Sequence, residues 1–478
     1  MGFTGGFTYK GKRYPKLPFE ILKAYDNDAK CVVTYRRNIG DHIEEYDLSK
    51  VDPEKMPYAD VVIGGFPCQD FSSCGPKRGL SSKRGKLYQA LIVYMKHHKP
   101  KVVVETPGQG AFALGCTHID ERALQRFRSF AGRRMRAFGN EHLAYGDPRG
   151  SRELRAAIAD HLLSTRGLRC DPDQIMLTSG TQHALRIVLG AILRPGDQIW
   201  CEDPGYPAAR SAIGHCGLRP VSVPVDVSGM IVAKGRALAP SAGAAYVTPS
   251  HQFPLGMPMS HARREALLAW AARRNAMIIE DDYDSEFRFG GRPLETLQSL
   301  ELGRRNGAGR VIYVGSFSKS LVPALRLGFL IAPPPLQAPL RAACHLGGWC
   351  GQWPVQGALA TMIDRGLLGR HVRKMRRIYA ERHDRILHAL TADFSGWLVP
   401  QRSVTGLHIT ATFLSGSLAF ERDLTERALA SGLHVERLST YYATRRRKAG
   451  LVLGYGAIPT AQIASGLALL RDCFVRIQ

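Results

Sequence analysis

Val311-Ile-Tyr-Val-Gly315-Ser-Phe-Ser-Lys319-Ser320 is the stretch on which the reading of this chain turns. Its first four residues predict a buried strand, and the small residues that follow predict a turn at the strand's end. Two hydroxyls and a lysine leave that turn side by side. Such a turn suits phosphate and carbonyl chemistry. The amine of Lys319 can form an imine with an aldehyde, while Ser316, Ser318 and the cation of Arg326 can hold a phosphate dianion by charge-assisted hydrogen bonds. In isolation the string would read equally well as an ordinary polar loop.

Three further segments supply what this chemistry needs, each after a predicted strand, where open α/β sheets place their ligands. Thr178-Ser-Gly180-Thr-Gln182 opens a helix, so the backbone N–H groups of Gly180, Thr181 and Gln182 can bind phosphate at the positive helix end. Glu202-Asp-Pro-Gly205-Tyr206-Pro207 puts an aromatic face after a tight turn, where it can stack on a pyridine ring. Ile278-Ile-Glu-Asp281-Asp282-Tyr283 sets carboxylates just past a buried strand; one of them can keep a pyridine nitrogen protonated, and alone the cluster would suit a metal equally well. Helices over Ser151–Thr165 and His261–Arg274 alternate with strands over Gln174–Leu177, Gln198–Cys201, Ala244–Val247 and Met277–Ile279, an α/β pattern.

In this order and spacing the segments resemble fold-type I pyridoxal-phosphate-dependent aminotransferases, most closely the aminotransferase-like domain of MocR-type regulators. The resemblance spans about 110–478. It rests also on Tyr145-Gly-Asp-Pro-Arg-Gly150, Thr248-Pro-Ser-His-Gln-Phe-Pro254 and Glu280-Asp-Asp-Tyr-Asp-Ser-Glu-Phe287. It implies a domain over 106–478, comprising a large mixed-sheet part over about 140–365 and a small α+β part over about 366–478 joined by an N-terminal arm. It implies pyridoxal 5'-phosphate as cofactor, with Lys319 forming the internal aldimine, Asp281 on the pyridine nitrogen and Tyr283 on the phenolic oxygen. Tyr206 would stack on the ring, and Gly180, Thr181, Gln182, Ser316, Ser318 and Arg326 would hold the phosphate. Tyr145 would reach the partner subunit's site in a homodimer.

Two departures shape the functional expectation. Phe253-Pro-Leu-Gly256 stands where aminotransferases carry Asn-Pro-x-Gly, as in the regulator branch, and Val452 stands where many relatives carry an arginine for the substrate carboxylate. Arg445-Arg-Arg-Lys448 is the alternative cation. The resemblance therefore implies either transamination of a small amino compound or an effector domain that senses an amino ligand without turnover.

The chain upstream has a different composition. Residues 1–105 hold 13 Lys and 5 Arg, whereas 106–478 hold 4 Lys and 43 Arg. Solvated Lys and Arg are near-equivalent, so surface physics gives little reason for the switch, and we infer a fusion, natural or artificial, joined near Thr106 to Gln109. Strands over Phe19–Lys23, Val61–Ile63 and Val102–Val104 with helices over Ala29–Asn38 and Leu87–His98 predict a partial parallel, Rossmann-like sheet. Gly64-Gly-Phe-Pro-Cys68-Gln-Asp-Phe-Ser72 resembles the catalytic loop of cytosine-5 DNA methyltransferases. That resemblance implies Cys68 as nucleophile toward a flipped cytosine, Asp26 and Asp47 as contacts to S-adenosyl-L-methionine, and Glu105 as a contact to the base. The donor-cradling Phe-x-Gly-x-Gly-Gly loop and a target-recognition domain are not read, so a truncated fragment without methyl transfer, and less stable than the rest, is expected.

Composition bounds the remaining classes. A length of 478 residues with 45% apolar content predicts at least two globular cores. The formal charge of +24 favours a polyanionic partner such as DNA, although no helix-turn-helix is read. No stretch reads as a signal peptide or membrane span, so the expected location is cytoplasmic. Ten scattered cysteines predict neither disulfides nor a metal centre.

Overall fold

The computed structural model describes residues 8–9, 12–13, 21–26, 29–38, 41–46, 52, 56–59, 61–64 and 102–105, then 111–137, 139, 146–290, 294–304, 309–348, 351–401 and 403–477. The chain divides into two compact units, Met1–Gln109 and Gly110–Gln478.

In the first unit β1 (Thr8–Tyr9) pairs antiparallel with β2 (Lys12–Arg13). β3 (Ala24–Asp26) pairs parallel with β4 (Ile43–Glu45), and between them in sequence runs the expected helix Ala29–Asn38. β5 (Val61–Gly64) pairs parallel with β6 (Val102–Glu105). The strand predicted over Phe19–Lys23 is corrected: residues 21–23 are irregular and the strand begins at Ala24, where the ladder to Ile43 starts. Apolar content drew the prediction upstream, but the available ladder partner decides the strand. Cys68, Asp47 and the predicted helix over Leu87–His98 lie outside the described residues.

The second unit is built on a mixed eight-stranded sheet. Its strands are β7 (Ile175–Thr178), β8 (Gln198–Asp203), β9 (Arg219–Asp226), β10 (Gly229–Met230), β11 (Ala244–Val247), β12 (Met277–Asp282), β13 (Val311–Ser316) and β14 (Gly328–Ile331). They lie in the order β10-β9-β8-β11-β12-β13-β14-β7, with β9, β8, β11, β12 and β13 mutually parallel and β14 antiparallel to both its neighbours. All residues of β7, β11 and β14 are buried, as expected for a sheet covered by helices on both faces. Ile279, Ile312 and Val314 pack on one face with Leu185 and Val188; Ile278 and Val311 pack on the other with Leu267 and Trp270. The helix Arg152–Arg166 starts at Ser151, whose Oγ accepts from Leu154 N, and His261–Arg274 starts at Ser260 and ends at Asn275 in a left-handed conformation.

A second sheet carries β15 (Leu398–Pro400), β16 (His408–Phe413), β17 (Glu436–Arg437) and β18 (Gly450–Gly454), antiparallel throughout in the order β15-β16-β18-β17. The 26-residue helix Leu367–Ala392 buries Tyr379 and Ile386 in a core shared with Phe112, Phe127, Tyr455 and Phe474, so the segment at the start of this unit is part of its core.

β12 runs on through Glu280, Asp281 and Asp282, three residues beyond the predicted end at Ile279. The carboxylates predicted to lie past the strand are in it, because partners elsewhere in the fold bind at least one oxygen of each. None of the seven described cysteines is in a disulfide, and among the described residues no helix is long and apolar enough to cross a membrane.

Trp200 and Trp270 stack with centroids 3.8 Å apart, and Gly235 lies so close that a Cβ there would stand 2.7 Å from the Trp200 ring. Trp270→Ala should lower stability by about 3–5 kcal/mol, read as a shifted denaturation midpoint.

Candidate active site

Side chains alternate along β12, so consecutive carboxylates face opposite ways. Glu280 is on the face of Ile278 and accepts from the backbone N–H groups of Leu297 and Gln298 at 3.0 and 3.1 Å. Asp282 accepts from the Arg166 guanidinium at 2.8 Å and the Tyr313 hydroxyl at 2.7 Å. Asp281 faces the other way. Its Oδ2 accepts from the Tyr246 hydroxyl at 2.5 Å, and its Oδ1 has no partner among the described residues. Burial pushes the Asp281 carboxyl up to about 7, with the Tyr246 bond acting in the opposite direction.

The ends of β7, β8 and β13 bring the other predicted residues to Asp281. Gly180 (φ +102°) precedes the first turn of the helix Thr181–Ile192, and a Cβ at Gly180 would stand 3.1 Å from Arg326 Nη2. The guanidinium thus lies over a helix N-terminus, two positive features converging on one point. Ser316 Oγ accepts from Ser318 N at 3.1 Å, folding the turn after β13 back toward that point. Tyr206 starts the helix Pro207–His215 half-buried, its ring edge-on to Phe253 at 5.7 Å; burial raises its phenol, Asp281 adds to the rise, and Gln182 and Arg326 oppose it.

Lys319 Nζ donates to Gly115 O at 2.8 Å. Burial pushes its ammonium below the ordinary lysine range, against Asp284 and Cys116, which raise it. The segment holding it is fastened to the small sheet: Gly454 N donates to Phe112 O at 2.9 Å and His434 N to Ala111 O at 2.8 Å. A Cβ on Gly454 or Gly456 would collide with Ala113 O or Cys116 O. The Tyr283 hydroxyl lies 3.0 Å from His251 Nδ1.

Lys319, Asp281, Tyr283, Tyr206, Gly180, Thr181, Gln182, Ser316, Ser318 and Arg326 all lie in these loops and strand ends of the second unit. Tyr145 is outside the described residues; Asp26 is in β3, and Glu105 ends β6 with its side chain outside them. Val452 is fully buried in β18 between Thr410 and Glu436, packed with Leu438 and Tyr441, while Arg445 to Lys448 are exposed. Tyr246, His251 and Asp284 were not singled out from sequence. Tyr246 carried a signal, a polar-tipped aromatic inside an apolar strand that needs a buried partner.

The site has a positive end, an open buried carboxylate oxygen, aromatic faces and an amine of depressed basicity. Residues 109–434 match the model of the aminotransferase class I and II family, and the chain belongs to that family. Its second unit has the fold-type I fold of pyridoxal-phosphate-dependent aminotransferases. Among its relatives are regulators of the MocR type. It is 35% identical over 338 residues to the probable rhizopine catabolism regulatory protein MocR of Rhizobium meliloti, covering 70% of this chain and 66% of that one. It is 36% identical to the HTH-type transcriptional regulator YhdI of Bacillus subtilis, over 69% of this chain and 68% of that one. The chain thus spans about two thirds of the length of these regulators. The crystal structure of the alpha-aminoadipate aminotransferase LysN of Thermus thermophilus, complexed with N-(5'-phosphopyridoxyl)-L-leucine, superposes with a TM-score of 0.68 at 27% identity, over 77% of this chain and 92% of that one. Residues 1–105 match the C-5 cytosine-specific DNA methylase model.

Behind the site Glu202 is buried, accepts from Thr248 N and Oγ1 at 3.2 and 2.6 Å, and is raised by burial from 4.5 to about 7. A carboxyl whose folded pKa is raised contributes stability below its unfolded pKa, and that contribution is lost as pH climbs through the folded value. Glu202→Gln should therefore flatten the decline in apoprotein stability between about pH 4.5 and about 7, measured by denaturant titration at a series of pH values.

Proposed function

We propose that the second unit binds pyridoxal 5'-phosphate at this site and uses Lys319 to transfer the amino group of a small amino compound. The observation that carries the reading is the open, buried Oδ1 of Asp281, with Asp281 and the Arg326 of the Gly180 anion cradle both acting on the Tyr206 phenol. An aromatic cofactor with a basic ring nitrogen at one end and a phosphate at the other fits that pair. When bound, the cofactor supplies an electron sink for a carbanion next to the substrate nitrogen.

The protein's residues do the rest. Asp281 would accept the pyridinium N–H and hold the proton there, while Tyr246 fixes the carboxylate from the other oxygen. Gly180, Thr181 and Gln182 offer backbone N–H groups to the phosphate, Ser316 and Ser318 offer hydroxyls, and Arg326 balances charge. Tyr206 covers the ring. Tyr283 would donate to the phenolic oxygen, and the second subunit of a homodimer would supply Tyr145. Lys319, driven toward the neutral amine by burial, would hold the cofactor through its Nζ and would serve as the base that moves the proton at the substrate carbon.

A second reading, amino-ligand sensing without turnover, is favoured by Val452, apolar and buried where a carboxylate-binding arginine is expected, and by the regulator relatives. Both readings predict a visible absorption band on adding pyridoxal phosphate, lost in Lys319→Ala. Transamination adds release of a keto acid over many cycles, falling by about 10²–10⁴-fold in Lys319→Ala. A band without multiple turnovers selects the sensor; no band defeats both.

A further inference from the structure

Beside Tyr283 the fold buries a histidine, a carboxylate and a second histidine, none assigned above. His251 Nδ1 lies 3.0 and 2.9 Å from the two oxygens of Asp284 and 3.0 Å from the Tyr283 hydroxyl. Its ring lies 27° from the plane of Tyr283 and 4.9 Å from the His408 ring. His251 and Asp284 are each 1% exposed. The loop before β16 closes over them: Ser403 Oγ is 3.4 Å from His251 Nε2, and a Cβ at Gly406 (φ +96°) would stand 2.6 Å from His251 Nδ1 and 2.9 Å from Asp284 Oδ2.

His251, Asp284 and His408 have the composition of a cation site, their ligand atoms within 4.8 Å of one another. The hydrogen bonding favours a proton instead. His251 Nδ1 already meets both Asp284 oxygens, and His408 Nε2 donates to Pro254 O at 2.9 Å. Burial lowers His408 to about 3 and keeps it neutral.

A buried carboxylate against an imidazole nitrogen demands N–H there. With its proton pointed at Asp284, Nδ1 has no lone pair to offer, so the Tyr283 oxygen can only accept from it. The phenolic hydrogen is then free to point elsewhere. We propose that His251 and Asp284 are positioning residues that hold Tyr283 as a donor toward the cofactor's phenolic oxygen. This rests on the cofactor reading above. Without Asp284 the imidazole can take its other tautomer, and the Tyr283 proton turns to Nδ1.

Other charges face this cluster. Asp281, Asp282 and Glu202 act on Tyr283 along with Asp284, and Lys319 acts on Asp284 and His408. Their fields sum with any direct effect of Asp284, so the sign of the response is what discriminates. A hydrogen bond donated to an anionic oxygen stabilises the deprotonated form; losing it moves the titration of the bound cofactor upward. Removing the Asp284 charge without changing Tyr283 moves that titration downward.

The test is the pH midpoint of the visible band of the full chain loaded with pyridoxal phosphate. Asp284→Asn should raise the midpoint by about one pH unit, as should Tyr283→Phe, and combining the two should add no further rise, since no phenolic proton is left to redirect. Should Asp284→Asn fail to fold, Gly406→Ala presses on the same pair and should give the same rise. An unchanged or lowered midpoint in the foldable variant, or additive shifts in the double variant, overturns the proposal while the wild-type band still stands. A wild-type protein without a band defeats the reading beneath it, and the proposal with it.

Discussion

Three consecutive carboxylates in a strand that water does not reach are the constraint around which the second unit is arranged. An ionised carboxylate in an apolar interior costs several kcal/mol unless charge or hydrogen bonds compensate. The fold answers each one differently. Glu280 is met by the N-terminal backbone of the helix Leu297–Leu302, and Asp282 by an arginine from the C-terminal end of the helix Arg152–Arg166. Asp281, turned to the opposite face by the pleat, presents an open oxygen there, whereas the open Oδ1 of Asp282 lies on the face of Arg166. Shifting the register of β12 by one residue would exchange these roles and leave the site without its acceptor.

Much of the architecture was legible because apolar runs and glycine-rich turns are local signals. The helices Ala29–Asn38 and His261–Arg274 and the strand Ala244–Val247 have the bounds expected of them. The ends of β8, β12 and β13 were read short because pattern reading stops at the last apolar residue, whereas the ladder continues wherever distant partners absorb polar groups. Arg166 is 116 residues from Asp282 and Tyr313 is 31 residues from it, separations that periodicity cannot see.

The site was legible to a similar depth. Lys319, Asp281, Tyr206 and the Gly180 turn announce themselves by residue type after a strand. The layer behind them does not. Tyr246, His251 and Asp284 acquire meaning from what they touch, and the covering glycine, Gly406, belongs to the connection between β15 and β16. The switch from lysine to arginine usage near residue 105 was visible in composition alone, and the two family matches divide at the same place.

The carbonyl that receives the Lys319 ammonium belongs to a segment pressed against β18 with no room for side chains at Gly454 or Gly456. The resting place of the amine is therefore a fitted joint whose clearance is set by two missing methyl groups more than 130 positions downstream. On the proposed function, an incoming carbonyl compound would compete with Gly115 for the same nitrogen, and what it would displace is a backbone atom that cannot follow. The small sheet thereby works as a latch keeper: it leaves the chemistry of the lysine alone and determines where the lysine waits.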